Sequence, residues 1–152
     1  MPNWCEGTLK VRGKQKDIKR FVLEGLKPVG FFGNEKEPLT MDECNCVSLK
    51  NDCWIEGTQR GFVEVLDVYF DGEDEDEDKK THCFETRFAW AIDAEPLAKI
   101  SKKYSVDLKI YAFELGMEFN QDIEIIDGEI IKNETIKFDD YQWECVCPTI
   151  GG

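Results

Sequence analysis

The order in which the hydrophobic period changes along the chain restricts its fold more than any other feature. Residues 4–13 alternate between apolar and polar positions, which is the period of a half-buried β-strand. Its apolar positions are Cys5, Leu9 and Val11. Residues 14–28 space their apolar side chains at helical intervals and end at a proline, which predicts an amphipathic helix. The apolar stripe of that helix is Ile18, Phe21, Val22 and Leu26. The chain therefore begins with a strand and a helix whose apolar sides pack together.

Two further apolar segments predict an antiparallel hairpin. Residues 62–70 are apolar on both sides, as in a strand that is buried on both faces. Residues 83–92 alternate, and one face of that strand would carry Phe84, Phe88, Trp90 and Ile92. A polar segment joins the two strands, so we expect them to pair with each other. Six consecutive acids, residues 73–78, would lie in the loop between them.

A second helix and several strands follow. Asp93 is a good N-cap for a helix over residues 94–104, because its carboxylate can accept a hydrogen bond from a free N–H at the helix start. Pro96 is compatible with this helix, since a proline is tolerated in the first turn. The buried stripe of this helix would be Leu97, Ile100 and Tyr104. The next strand would turn Val106, Leu108, Ile110 and Ala112 inward. Asp127-Gly128 predicts a tight hairpin. A last strand over residues 142–147 would place Trp143, Cys145 and Cys147 on one face.

The order strand, helix, strand, strand, helix, strand is that of the ferredoxin-like fold, a split βαβ pattern with an antiparallel sheet and two helices on one face. We therefore predict the α+β class and a single domain over residues 1–152, with a ferredoxin-like core over about 3–114. The irregular segment 28–61 is an insertion before the second strand and holds one short strand in residues 52–57. Residues 120–148 form a β-rich C-terminal extension.

Three stretches of the sequence resemble one family. They are "MPNWCEGTLKVRG" at residues 1–13, "FETRFAWAIDAEP" at residues 84–96 and "YAFELGMEFNQD" at residues 111–122. In them the chain resembles the YubB-like proteins of phages and plasmids, which carry a ferredoxin-like domain. The opening Met-Pro-Asn-Trp-Cys is the most specific piece, and a Glu-x-Gly-x-x-Phe spacing marks the third stretch. The resemblance implies an accessory protein of a mobile element and assigns no activity to a residue. The acidic run and residues 44–53 depart from the family pattern.

The composition restricts the class of protein and of partner. Apolar residues make up 41% of the chain and aromatic residues 12%, which is too rich for a disordered chain. No apolar run approaches the ~18 residues of a membrane span, and the first residues lack the pattern of a signal peptide. We therefore expect a cytoplasmic protein of the host cell with no membrane partner. A formal net charge of −13 opposes direct binding to nucleic acid and favours basic protein partners.

The seven cysteines are an odd number, which is typical of free thiols in a reducing compartment. Cys5 and Cys83 lie in strand-like sequence and would be small buried thiols. Zinc is the alternative, with Cys44, Cys46, Cys53 and His82 as candidate ligands and the Cys145/Cys147 pair as a further source of thiolates. Because Cys-x-Cys is a poor chelate for structural zinc, we favour free thiols and no metal.

Catalysis has little support in the sequence. His82 is the single histidine, and its neighbour Cys83 would point to the opposite face of a strand, which separates a nucleophile from its base. The sequence contains neither a phosphate-binding Gly-x-x-x-x-Gly-Lys loop nor a dinucleotide fingerprint. The sequence therefore predicts a protein that is not an enzyme, with no catalytic residue and no cofactor.

Ferredoxin-like sheets often stack bases on exposed aromatic side chains. Here Tyr111 and Phe113 would lie on the open face of the sheet beside Lys10, Arg12 and Arg87. The overall negative charge opposes this use, so we expect the two aromatic rings to pack under the C-terminal extension.

Two interpretations of the acidic run stay open. It is either the solvated tip of a hairpin, or a decoy whose carboxylates imitate phosphates and occupy a basic groove of a nucleic-acid-binding protein. The residues that would carry the second role are Asp71, Glu73, Asp74, Glu75, Asp76, Glu77 and Asp78.

The leading hypothesis is a small, non-enzymatic phage or mobile-element protein that inhibits a host defence or nucleic-acid-processing protein by nucleic-acid mimicry, as anti-CRISPR-like proteins do. The alternative is a protein-interaction or regulatory module that binds its partner through residues 28–61, with an inert acidic loop. A zinc-binding protein is the third hypothesis.

Overall fold

Within the described residues 1–30 and 36–152 of the computed structural model, eight antiparallel strands form a main sheet and two strands form a smaller one. The strands are β1 Trp4–Lys14, β2 Leu26–Pro28, β3 Cys46–Leu49, β4 Cys53–Ile55, β5 Gly61–Val63, β6 Leu66–Tyr69, β7 Lys79–Ala89, β8 Asp107–Glu114, β9 Phe119–Ile126 and β10 Glu129–Lys137. The helices are α1 Gln15–Arg20, which continues as a π-helical segment Phe21–Gly25, then α2 Ala94–Tyr104 and the single turn α3 Tyr141–Glu144. These elements agree with the predicted α+β class, because the structure consists mostly of antiparallel sheet with a few helices.

The main sheet has the strand order β10-β9-β8-β1-β7-β5-β4-β2, and β3 pairs with β6 in the smaller sheet. The helices α1 and α2 pack together on one face of the main sheet, where the rings of Phe21 and Tyr104 meet edge to face with centroids 5.8 Å apart. Residues from both helices and both sheets share one apolar core. The opposite face of the main sheet is the open face, and the polar side chains of β1 lie there.

The start of the chain folds as its hydrophobic period predicts. The inward side chains of β1, which are Cys5, Leu9 and Val11, are fully buried. The apolar stripe that follows is also buried, with Ile18 and Val22 at 0% exposure. Leu26 is buried too, but it begins β2 rather than ending the helix, because the helix stops at Gly25.

The prediction of one strand over residues 62–70 is wrong. Gly61–Val63 pairs with β7, whereas Leu66–Tyr69 pairs with β3 in the smaller sheet. Val65 is 60% exposed at the turn between them, and the bend brings Val68 and Phe70 into the core. An apolar run with two buried faces does not say which sheet each half joins, so its period alone does not show the break.

The acidic run is therefore not the loop of a simple hairpin. It connects β6 of the smaller sheet to β7 of the main sheet, and these two strands are not paired with each other. Residues 53–55 form the predicted short strand of the insertion. Residues 31–35 of the predicted insertion 28–61 lie outside the described residues.

Two residues of the alternating segment 83–92 do not lie where the pattern places them. The strand ends at Ala89, and Trp90 adopts a left-handed backbone conformation with φ of 71°, which turns its ring to solvent at 59% exposure. Such a φ is unusual for a bulky residue. Cys83 is exposed on the open face instead of buried, while Phe84, Phe88 and Ile92 are buried as predicted.

The second helix and the strands after it confirm their predictions. The Asp93 side chain accepts a hydrogen bond from the Glu95 N–H and caps α2. The stripe of α2 and the inward side chains before and along β8 are buried, namely Leu97, Ile100, Tyr104, Val106, Leu108, Ile110 and Ala112. Asp127 and Gly128 both have positive φ, at 50° and 77°, in the hairpin that joins β9 to β10.

The last predicted strand is instead a turn of helix. The Asp140 carboxylate accepts a hydrogen bond from the Trp143 N–H, and the Glu144 carboxylate accepts from the N–H groups of Asp139 and Asp140. These bonds satisfy the free N–H groups of a helix start, so local capping outweighs the alternating pattern. Trp143 is consequently 86% exposed while Cys145 is buried, and the two do not share a face.

Candidate functional site

The acidic loop, residues 71–78, lies against the start of α1 rather than extending into solvent. The side chain of Gln15, which is 2% exposed, donates a hydrogen bond from Nε2 to the Gly72 carbonyl at 3.0 Å. Phe70 is buried just before the loop, and the Lys19 ammonium lies 5.7 Å from the centroid of its ring. The loop is thus held by contacts at its base as well as by the two strands that it joins.

Three carboxylates of the acidic loop are paired with lysines of the same chain. Asp74 pairs with Lys19, Glu77 pairs with Lys14, and Asp76 pairs with Lys80 at 3.1 Å. We call Asp74, Asp76 and Glu77 the anchored carboxylates.

Two of the anchored carboxylates, Asp76 and Glu77, are stabilised in their charged form. The hydrogen bond from Lys14 lowers the pKa of Glu77, and the Asp78 N–H together with Lys80 lowers the pKa of Asp76. The pair between Asp76 and Lys80 has a sequence signal, because the two are four residues apart. Lys14 and Lys19 meet the loop only through the tertiary fold, so the sequence gives no sign of them.

The remaining carboxylates of the acidic loop point to solvent. They are exposed and form no ion pair within the part of the chain that the structure describes. We call them the free carboxylates: Asp71, Glu73, Glu75 and Asp78. The predicted partner-binding residues are therefore brought together, but they divide into a set that fixes the loop and a set that is available to a partner.

The candidate zinc ligands are not brought together. Cys46 lies in the smaller sheet, Cys53 lies in the main sheet, and Cys44 is exposed. The ring of His82 packs against Phe70 with centroids 5.2 Å apart. Among residues 1–30 and 36–152, no three His, Cys, Asp or Glu side chains are grouped so that they would hold a metal ion.

The thiols of Cys5 and Cys53 and the imidazole of His82 are held in their neutral forms. Burial, with a smaller contribution from nearby carboxylates, raises the pKa of Cys5 and of Cys53 to about 12. Burial also lowers the pKa of His82, and the charge of Asp71 opposes that shift only in part. A thiol with so high a pKa supplies little thiolate for nucleophilic attack or metal binding.

The three family-like stretches meet at one end of the main sheet. The Trp90 N–H donates to the Asn3 carbonyl at 2.8 Å, and a Cβ at Gly116 would lie 2.2 Å from the Asn3 Nδ2. The buried carboxylate of Glu114 accepts hydrogen bonds from the N–H groups of Gly116 and Met117 at 2.9 and 2.6 Å. The Glu-x-Gly spacing thus closes a turn that receives the start of the chain, which is a structural role.

The C-terminal segment lies over the open face at this same end. The Tyr141 hydroxyl donates to the Asn120 Oδ1 at 3.1 Å, and the Asn120 Nδ2 donates to the Tyr111 hydroxyl at 3.2 Å. The Gly152 N–H donates to the Trp4 carbonyl at 2.9 Å. Asn120, in the predicted extension, thus contacts the Tyr111 hydroxyl, but the Tyr111 side chain stays 37% exposed rather than covered as the sequence predicts.

With the fold in place, the comparisons with known proteins identify the domain. Residues 66–145, just over half of the chain, match the family described as "Ferredoxin-like domain in Api92-like protein". The chain belongs to this family. The match runs from β6 to the end of α3, so it contains β7, α2, β8, β9 and β10. It confirms the predicted ferredoxin-like domain. No curated protein and no solved structure matches the chain.

The match contains residues 84–96 and 111–122 and supports a ferredoxin-like family, but it does not support the more specific resemblance to the YubB-like proteins of phages and plasmids. Within residues 1–30 and 36–152, none of the helices has the length and apolar character that a membrane crossing requires.

Proposed function

We propose that this chain is a non-enzymatic acidic binding protein that occupies the basic, nucleic-acid-binding surface of a host protein. The observation that carries the proposal is the division of the acidic loop into three anchored carboxylates and four free ones, which gives an acidic surface of fixed shape. A loop that is already ordered loses less conformational entropy when a partner binds than a flexible acidic tail does. The net charge of −13 adds long-range attraction to basic partners.

The proposed setting is a phage or another mobile element acting in the cytoplasm of its host cell. Its support is the resemblance of residues 1–13, 84–96 and 111–122 to YubB-like proteins. We further infer that the ferredoxin-like fold reaches beyond the matched residues 66–145 to β1, α1 and β5 and has the split βαβ arrangement. In the strand order β8-β1-β7-β5, β7 separates β1 from β5 and β1 separates β7 from β8. The helix α1 lies between β1 and β5 in the chain, and α2 lies between β7 and β8, so each helix belongs to one of the two strand–helix–strand units.

The absence of an enzymatic role belongs to the same proposal. Its support is the state of the reactive side chains, because Cys5 and Cys53 are held as neutral thiols and the ring of His82 packs on Phe70. None of these groups forms a nucleophile and base pair with another in the described part of the chain. The proposed inhibitor therefore acts by occupying a surface.

The test compares two sets of charge-neutral variants as baits in host lysate at low and high salt. The first replaces the free carboxylates by D71N, E73Q, E75Q and D78N. The matched control removes the same charge from exposed acids elsewhere by E24Q, D67N, E95Q and E118Q. We expect the free-carboxylate variant to lose a basic, salt-sensitive partner that the control keeps, and we expect that partner's nucleic acid to compete with the wild type.

Equal retention of the partner by the two variants at every salt concentration would contradict the role of the acidic loop. A third variant, D74N with D76N and E77Q, tests the fixed shape, because it frees the loop without touching the free carboxylates. We expect it to bind the same partner with intermediate affinity.

A second candidate function has its own observation. A groove of about 720 Å³ lies along the insertion and is lined in part by Pro28, Leu39, Cys46 and Lys50. A protein-interaction module that uses this groove would capture a partner that resists high salt and survives the free-carboxylate substitutions. Leu39→Asp would then remove the partner, whereas it would leave binding through the acidic loop unchanged.

A further inference from the structure

The main sheet has one long open edge. In the part of the chain that the structure describes, no strand pairs with the outer side of β10, which is nine residues long. Ile131 lies on this edge with 61% of its surface exposed. The opposite edge strand, β2, has three residues and ends at Pro28, whose carbonyl accepts a hydrogen bond from the Lys36 N–H. A long edge strand presents a row of unpaired N–H and C=O groups that can pair with another chain.

The charges of β10 are arranged so that a second copy of the strand, running antiparallel to the first, would place opposite charges against each other. Going outward from Asn133, the strand carries Lys132 on one side and Glu134 on the other, then Glu129 and Lys137. Its net charge is zero, although the whole chain carries −13. Two copies of this strand running antiparallel about Asn133 would place opposite charges against each other, and cross-strand pairs of that kind stabilise a sheet.

The central pair also lies on the correct face. Lys132 is opposite Glu124 and Glu134 is opposite Asp122 in β9, so both side chains project on the open face. Asn133 is opposite the buried Ile123 and projects on the helix face. In a two-fold arrangement, Lys132 would face Glu134 of the partner subunit, and the same contact would repeat on the other side of the axis.

A bulge limits how far the regular pairing extends. The register of β10 against β9 shifts between Ile130 and Lys132, so Ile131 is an extra residue. Because of the bulge, Glu129 and Lys137 project on opposite faces of the sheet. Glu129 is opposite Ile126, on the open face, while Lys137 is opposite Phe119, on the helix face, and lies over its ring. Glu129 and Lys137 would therefore not form a direct pair, and the contact depends on residues 131–135.

We propose that the chain forms a symmetric dimer in which β10 of each subunit pairs antiparallel about Asn133 and joins the two main sheets into one. This proposal does not depend on the acidic loop, which lies between β6 and β7. Because the contact covers few residues, the dimer is weak and its population rises with concentration. The apolar surface that it covers includes Ile131.

The test is sedimentation velocity across a concentration series. E134K places lysine against Lys132 of the partner subunit, and K132E places glutamate against Glu134 of the partner subunit. Each change should weaken the dimer on the order of tenfold or more, because two attractive pairs become repulsive. An equimolar mixture of the two variants should restore a dimer, since all the charges then complement each other. Only pairing between copies produces that rescue.

The matched controls change the same charge away from the edge. E118K corresponds to E134K, and K99E corresponds to K132E, because Glu118 and Lys99 are both exposed. A wild-type chain that stays monomeric up to about 1 mM overturns the proposal. So does an E134K variant that dimerises as well as E118K, or a folded mixture without rescue.

K132E also loses the ion pair of Lys132 with Asp122, which measures 3.0 Å. If K132E does not fold, hydrogen exchange of the β10 backbone amides in wild type and E134K tests the dimer instead. Residues 131–135 should exchange more slowly in wild type as concentration rises, and E134K should abolish that dependence. Exchange that ignores concentration in wild type overturns the dimer.

Discussion

Gly116 and Asn3 fit together so closely that a Cβ at position 116 would lie 2.2 Å from the Asn3 Nδ2. Gly116 is also held by its N–H, which donates to the Glu114 carboxylate. The two residues are 113 positions apart in the sequence, and their contact joins the first residues of the chain to the turn between β8 and β9.

Gly116→Ala should destabilise the fold by about 1–3 kcal/mol, because the added methyl group forces Asn3 to move. Urea unfolding measures the change. Asn3→Ala should remove most of the penalty in the double variant, since the side chain in conflict is then absent. Met117→Ala, at the exposed neighbouring position, serves as the control and should change stability little. An unchanged penalty in the double variant would show that Asn3 is not the obstacle.

Phe21→Ala should cost about 3–5 kcal/mol of unfolding free energy. Phe21 is 1% exposed and meets the rings of Phe84 and Tyr104 edge to face, so its loss opens a cavity between the helices and the sheet. Thermal or denaturant unfolding measures the loss. Leu23, which is only partly buried, gives the comparison, and Leu23→Ala should cost clearly less. Equal costs would place the apolar stripe of α1 elsewhere.

Asp107 should make stability depend on pH in the acid range. Burial raises the pKa of its carboxyl, but hydrogen bonds from Lys79, the Asp127 N–H and Arg12 outweigh burial and lower the pKa below its ordinary value. Because the folded pKa is the lower one, the stabilising contribution is complete above the unfolded pKa of about 3.9. It is lost as the pH falls through the folded pKa.

Asp107→Asn should therefore be less stable than wild type at pH 7, and the difference should shrink as the pH falls below about 4. Denaturant unfolding from pH 7 to pH 3 measures this difference. Asp67→Asn, at an exposed position with no ion pair in the described residues, is the control. A difference that stays constant over this range would mean that Asp107 acts through shape and not through charge.

The thiols should differ in their rates of reaction with a thiol reagent. Cys44 and Cys83 are exposed and should react first in the native protein, whereas Cys5 and Cys53 are buried with pKa values of about 12 and should wait for unfolding. Under denaturant all seven should react without prior reduction.

Metal analysis of the purified protein should find no stoichiometric zinc, and one tightly held zinc per chain would refute the free-thiol interpretation.

The elements that the sequence predicts correctly are those whose evidence is local. The alternation of Leu9 and Val11 in β1, the cap of α2 at Asp93 and the hairpin at Asp127-Gly128 each depend on residues close together in the chain. Period, capping and turn chemistry act over a few residues, so a short window of sequence contains all the physical information that they need. The burial of these segments follows from the same pattern.

The tertiary structure decided the points at which two local solutions compete or distant groups meet. Residues 62–70 had apolar side chains for either sheet, and the core around Val68 and Phe70 divided them between two. The Asn3 carbonyl, 87 positions away, fixes the turn that exposes Trp90. The pair of Asp76 with Lys80 is local, but nothing in the run of six acids shows that Asp74 and Glu77 are anchored by Lys19 and Lys14, which folding brings within reach. Contacts of this kind have no local signature, because their partners become neighbours only after the core has formed.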